Sequence, residues 1–169
     1  MLRTAALACL LPAACWLSLA PAKLQAQDKL PQGAQSNVLT VTPPASLQAK
    51  AGSTVEVKLK LQLAPGYHVN SNTPSDKYLI PLKLTWNPGP LEAAEVIFPK
   101  PRTQKTSFSP EPLSVFSGEF ELLTRFKVAP TAAPGPATLL GKVHYQACND
   151  RMCLTPKNLD VAMQVDVVK

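Results

Sequence analysis

Alternation of apolar and polar residues with period two is the dominant pattern in this chain, and it is clearest from Thr54 to Leu63. There Val55, Val57, Leu59, Leu61 and Leu63 face one way and Glu56, Lys58, Lys60 and Gln62 the other, as in a strand with one buried and one solvated face. The same pattern predicts strands at Leu82 to Trp86, Ala94 to Phe98, Phe120 to Val128, Ala137 to Gln146 and Leu159 to Val168. No stretch of useful length carries helical periodicity. Eighteen prolines, some in motifs such as Pro43-Pro44 and Pro88-Gly89-Pro90, interrupt any long helix and mark turns at roughly ten-residue spacing. The expected fold is all-β: an immunoglobulin-like antiparallel β-sandwich over residues 38–169.

Two segments precede that domain. Residues 1–26 read as a secretory signal peptide, with Arg3 as the positive n-region, Ala5 to Ala20 as the apolar stretch, and small residues before the cleavage point at Ala26 or Ala22. Pro12 and the short apolar run argue against a membrane span. Ala13-Ala14-Cys15 offers small residues for lipid attachment, but Pro12 disfavours an anchor there. Residues 27–37 are polar and turn-rich and read as a flexible N-terminal arm. Cleavage removes Cys9 and Cys15 together with Arg3 and Lys23, lowering the net charge from +6 to +4. No second long apolar segment follows, so the mature chain is expected to carry no transmembrane span and to be exported, with a periplasmic or other extracytoplasmic location. No basic stripe of the kind that binds nucleic acid is present. Nucleophile-elbow and phosphate-binding glycine motifs are absent as well, and no cofactor is expected.

The remaining chemistry lies in Tyr145-Gln146-Ala147-Cys148-Asn149-Asp150-Arg151-Met152-Cys153-Leu154-Thr155-Pro156. Strand alternation precedes it (Leu139, Val143, Tyr145) and resumes after it (Val161, Met163, Val165, Val167). The cysteines therefore sit at the root of a hairpin-like loop, where Asn149-Asp150 favour a reversal that brings the two Cβ atoms to the roughly 4 Å a disulfide needs. Such a bond is a structural staple or an exchangeable redox pair. Closing about six residues contributes only about 2 kcal/mol of chain entropy, a weak staple. Arg151 and Lys157, nearby in sequence, favour the thiolate form that exchange needs. Soft-metal binding is a third reading, with Cys148, Met152, Cys153 and His144 as ligand types for copper or zinc. It is short of the four firm ligands of a tetrahedral site, and His68 is distant in sequence.

Tyr145-Gln146-Ala147-Cys148 followed by Cys153-Leu154-Thr155-Pro156 resembles the Y-Q-G-C…C-Y-P-P signature of the periplasmic N-terminal domain of the thiol:disulfide interchange protein DsbD. Ala64-Pro65-Gly66-Tyr67-His68-Val69 is similar to that family's A-P-G-Y-Y-L strand, and Val115-Phe116-Ser117-Gly118-Glu119 to its F-F-G-E cap segment. Three features depart from the family: the cysteines lie one residue closer together, Ala147 replaces a glycine, and the acidic pair before the cap aromatics is missing. The resemblance implies an exported thiol–disulfide exchange domain that passes reducing equivalents between thioredoxin-like or membrane thiol–disulfide oxidoreductases. It implies that Cys153 forms the link to the partner and Cys148 resolves it. It also implies that Phe116, with Val115 beside it and Gly118 as a flexible point, caps the disulfide. The competing expectation is a β-sandwich that binds a protein or carries copper and holds a static disulfide.

Overall fold

The computed structural model describes residues 38–169; the expected signal peptide (1–26) and arm (27–37) lie outside the described residues. Twelve strands and no helix occupy the described part. The strands are β1 (Leu39–Thr42), β2 (Leu47–Lys50), β3 (Thr54–Leu63), β4 (His68–Asn70), β5 (Lys83–Trp86), β6 (Leu91–Ile97), β7 (Arg102–Gln104), β8 (Leu113–Ser117), β9 (Glu119–Val128), β10 (Gly135–Tyr145), β11 (Ala147–Cys148) and β12 (Lys157–Val168). They form three four-stranded sheets, ordered β1-β3-β9-β6, β2-β12-β10-β5 and β11-β4-β8-β7. The fold is the immunoglobulin-like sandwich that the alternation predicts.

The long strands pair in unbroken antiparallel register, β3 with β9 from Thr54↔Lys127 to Gln62↔Glu119 and β10 with β12 from Gly135↔Val167 to Tyr145↔Lys157. Their inward positions meet in one apolar core: Val57, Leu59, Leu61, Leu122 and Phe126 from the first sheet, and Leu139, Val143, Val161, Met163 and Val165 from the second. Burial of alternate side chains on two facing sheets is what holds the sandwich closed. Residues 39–50 bend at Pro43-Pro44 and divide between the sheets, β1 joining β3 and β2 joining β12. The β2–β12 pairing is parallel, a departure from the all-antiparallel expectation.

The ends of the predicted strands agree with the sequence reading to within two residues except at β6. β6 begins at Leu91, not Ala94, because a register shift between Ala93 and Glu95 breaks the alternation and puts Leu91 out of phase with Val96. No strand is predicted between Phe98 and Phe120, where the structure has the hairpin β7–β8, with Arg102↔Val115 and Gln104↔Leu113 paired.

Gly141 illustrates how tightly the second sheet packs. It stands opposite Trp86, and a Cβ built there would lie 2.7 Å from the Trp86 ring and 3.0 Å from the Thr85 carbonyl oxygen. Trp86 in turn meets Phe126 edge-on at 5.0 Å and donates its Nε1–H to Thr124 Oγ1 at 3.1 Å. Gly141→Ala is expected to displace the indole and to cost about 1–3 kcal/mol, as overpacking does. Chemical denaturation and the Trp86 emission maximum measure it; a variant with unchanged midpoint and emission contradicts this account of the packing.

Candidate functional site

After Tyr145, the last residue of β10 to pair with β12, the chain leaves the second sheet, and Ala147–Cys148 form the short strand β11 against β4. Cys148 and Cys153 are joined by a disulfide with Cα atoms 3.9 Å apart, and the two residues form an isolated antiparallel bridge. Hydrogen bonds on either side, Asn149 N–H to Met152 O (2.9 Å) and Leu154 N–H to Ala147 O (2.8 Å), mark a non-hydrogen-bonded pair, the closest approach that antiparallel strands offer. Asn149 closes the turn with its side chain: Oδ1 accepts from the backbone N–H of Arg151 (2.9 Å) and Met152 (3.0 Å). The reversal uses no left-handed residue, since no non-glycine residue among those described has positive φ. Gln146 Nε2–H donates to Leu154 O at 3.0 Å, tying the outgoing chain back. The loop is thus held by five hydrogen bonds in addition to the S–S bond.

The two sulfurs stand in different environments. Cys148 is fully buried, whereas Cys153 is partly exposed, beside exposed Arg151 and Met152.

Pairing across the small sheet decides what surrounds Cys148. Ala147, Val69 and Phe116 lie opposite one another in successive strands and face the main core. Cys148, His68 and Ser117 form the adjacent row, and alternation turns them to the other side, which Val115 and Leu113 share. The residues assigned to a cap from sequence are therefore split. Phe116 stacks between Phe98 (6.3 Å) and Phe120 (5.0 Å) on the core side, away from Cys148. Val115, fully buried, is on the cysteine side. Gly118, at φ +67°, is the corner at which the chain passes from β8 into β9, where a left-handed turn favours glycine.

What reaches the disulfide loop is the β7–β8 hairpin. Ser107, in its tip, donates its hydroxyl to the Asp150 carbonyl. Gln104 Nε2 lies 3.4 Å from His68 Nδ1, a contact that crosses β8 and so requires the hairpin to curl over the cysteine side of the sheet. Phe108, next to Ser107, is 40% exposed.

His68 was not singled out by sequence reasoning except as distant from the cysteines. The structure sets it directly opposite Cys148, 1% exposed, with Nε2 lacking any hydrogen-bond partner. Burial pushes its pKa below 6.5, with the negative charge of Asp150 opposing that shift. The available signal was positional: His68 occupies the second tyrosine position of the A-P-G-Y-Y-L-like strand. His144, the histidine weighed as a metal ligand, instead hydrogen-bonds Asn158 Oδ1 at 2.9 Å on β10–β12. Among the described residues no cluster of three or more His, Cys, Asp or Glu side chains is placed to hold a metal ion.

A family model described as "Thiol:disulfide interchange protein DsbD, N-terminal" matches residues 35–164. Among solved structures, the N-terminal periplasmic domain of ScsB from Proteus mirabilis superposes with a TM-score of 0.50 at 16% identity, over 76% of this chain and 45% of that one. This chain thus spans under half of that relative's length. A PapD-like domain of human CEP192 (TM-score 0.39, 10% identity, 78% of this chain and 86% of that one) shows weaker similarity. So does a cohesin module from a Clostridium perfringens glycoside hydrolase (0.40, 10%, 78% and 98%). Among curated proteins none matches the sequence.

The lowered pKa of His68 has a consequence for stability. Between its folded-state pKa and the ordinary 6.5, the unfolded chain binds more protons than the folded one, so stability rises with pH across that window. The contribution is complete above 6.5 and is lost as pH falls through the folded-state value. Melting temperatures of the oxidised protein are expected to drop on acidification below about pH 6.5, and less steeply in His68→Gln. Parallel profiles for the two proteins would contradict the assignment.

Proposed function

The chain belongs to the family of the DsbD N-terminal domain, and from that membership we propose that it is an exported thiol–disulfide exchange domain whose Cys148–Cys153 pair carries electrons between partner proteins. The observation that carries this reading is the asymmetry of the pair, one sulfur fully buried and the other within reach of solvent. A partner thiolate attacks Cys153 Sγ, the S–S bond opens, and Cys148 leaves as the thiolate; the partner's second thiolate then releases itself as a disulfide, leaving both cysteines reduced. In the forward direction Cys153 attacks an oxidised acceptor and Cys148 resolves the mixed disulfide. The chemistry suits thioredoxin-like or membrane thiol–disulfide oxidoreductases as partners. Export through the segment 1–26 to a periplasmic location is part of the same proposal. No helix of the described residues is long and apolar enough to cross a membrane.

The cover over the disulfide is assigned to the β7–β8 hairpin. Its tip carries Phe108 and is bound to the loop through Ser107 and Asp150, whereas Phe116 belongs to the core packing. Exposed Phe108 and Met152 flank the site and give an approaching partner apolar surface to bury.

Cys148→Ala is expected to accumulate a mixed disulfide with a thioredoxin-like protein through Cys153, because the resolving thiol is gone; Cys153→Ala should accumulate little. Non-reducing gels with mass spectrometry decide it, and the reverse behaviour would exchange the two roles. The pair's reduction potential should lie above roughly −300 mV, where exchangeable bonds fall, and a value well below marks a static bond instead. Reduction should cost no more than about 2 kcal/mol of stability, the loop-closure value for so short a loop. Phe108→Ala should speed reduction by glutathione several-fold and leave the melting temperature nearly unchanged. Phe116→Ala should do the opposite, costing about 3–5 kcal/mol as buried Phe truncations do.

A further inference from the structure

His68 is a buried titratable group whose Nε2 has no hydrogen-bond partner, and in the strand pairing it stands opposite Cys148, the cysteine of the pair that solvent does not reach. A buried imidazole nitrogen without a partner is destabilising, and a fold tolerates it when a partner arises in another state. Gln104 supplies the reason the free atom is Nε2. Its amide Nε2–H donates to Nδ1 at 3.4 Å, so neutral His68 carries its proton on Nε2. In the oxidised protein Cys148 Sγ is bonded to Cys153 and is a weak acceptor. When the bond opens, the same position on the same face of the sheet presents a thiolate, a strong acceptor.

We propose that His68 is the hydrogen-bond donor to the Cys148 sulfur in the reduced domain, holding it as the thiolate that resolves the mixed disulfide. This rests on the thiol-exchange reading given above. In the resolving step the Cys148 thiolate attacks Cys153 Sγ. The Cys148–Cys153 bond forms and the bond from Cys153 to the partner breaks. The electron pair leaves on the partner's sulfur, which takes a proton from water. The cysteine pair is oxidised by two electrons and the partner disulfide reduced by two. Nε2–H stabilises the attacking thiolate and is released when the disulfide reforms.

The charged groups around the imidazole are few. The loop after β11 contributes Asp150, whose field acts on the ring; β11 itself presents Cys148 and β8 presents Ser117, neither charged in the oxidised state. The hairpin that covers the ring contributes uncharged Gln104, with Arg102 and Lys105 exposed to solvent. A thiolate at Cys148 is therefore the one new charge that reduction places against His68. The two groups must then shift each other's ionisation, the thiol downward and the imidazole upward.

The test uses the full chain with 13Cβ-labelled cysteine, so that NMR separates Cys148 from Cys9 and Cys15. In Cys153→Ala, adding His68→Leu should weaken the Cys148 thiol's ionisation constant about tenfold, one pKa unit. His68→Gln, whose amide N–H reaches the same place, should leave it near the starting value. A Cys148 pKa that ignores His68→Leu, or that moves as far with His68→Gln, overturns the proposal. Imidazole 15N shifts of the unmutated protein give a second readout that needs no variant: the His68 pKa should rise on reduction, and an unchanged value also overturns it. Reduction of the unmodified chain by a thioredoxin-like dithiol is the separate check on the underlying reading. Exchange with an unresponsive His68 rejects the hydrogen-bond role alone, and absent exchange rejects the reading on which it rests.

Discussion

The site depends on a strand pairing only two residues long, Ala147–Cys148 against His68–Val69. Adjacent residues of a strand point to opposite sides, so this pair does two jobs at once. Ala147 and Val69 bury themselves in the sandwich core and fix β11 in place. Cys148 and His68 are thereby turned to the far side, beneath the β7–β8 hairpin. A slip of one residue would send the cysteine into the core and the alanine to the site. The core residues are what make the register costly to change.

The rest of the sandwich supplies leverage for that arrangement. β10 and β12 pair over eleven residues, from Gly135↔Val167 to Tyr145↔Lys157, and deliver the two ends of the cysteine loop side by side. At the other edge, Gly118 allows β8 to turn out of the large sheet while β9 stays within it. β8 then passes its pairing on to both β4 and β7. The small sheet is an extension of the sandwich bent to bring the tip of the β7–β8 hairpin against the cysteine loop. Loops and hairpins carried on a rigid sheet scaffold are where binding and chemistry commonly gather.

Legibility in the sequence followed strand length. β3, β9, β10 and β12 each bury four alternate residues, enough repeats for a period of two to stand out, and they were readable with their facing sides. β1, β2, β4, β7 and β11 have two to four residues, and long-range pairing rather than local pattern makes them strands; among strands that short only β5 carries a readable alternation. The disulfide was readable because the loop is local. The neighbour of Cys148 was not, since His68 comes to it through a contact eighty residues apart in the chain. Val115 and Phe116 both look like covering residues in a linear motif, but strand alternation sends only one of them to the cysteine side, and the phase was invisible until β8 was seen to pair with β4.

Reversible redox chemistry requires that the loop hold its shape whether or not the sulfurs are joined. Here the geometry is set mainly by hydrogen bonds: Asn149 N–H to Met152 O, Leu154 N–H to Ala147 O, the two bonds to Asn149 Oδ1, and Gln146 to Leu154 O. None of these involves sulfur. Each is worth on the order of 1 kcal/mol, so together they outweigh the roughly 2 kcal/mol of chain entropy the covalent bond contributes. Opening the S–S bond therefore leaves two thiols still facing each other across a formed turn, preorganised to close again. A static staple has no use for such redundancy, because the bond itself would do the holding. An exchanging pair needs it, since every mixed disulfide spends its lifetime with Cys148 unattached and has to find Cys148 waiting within reach of Cys153.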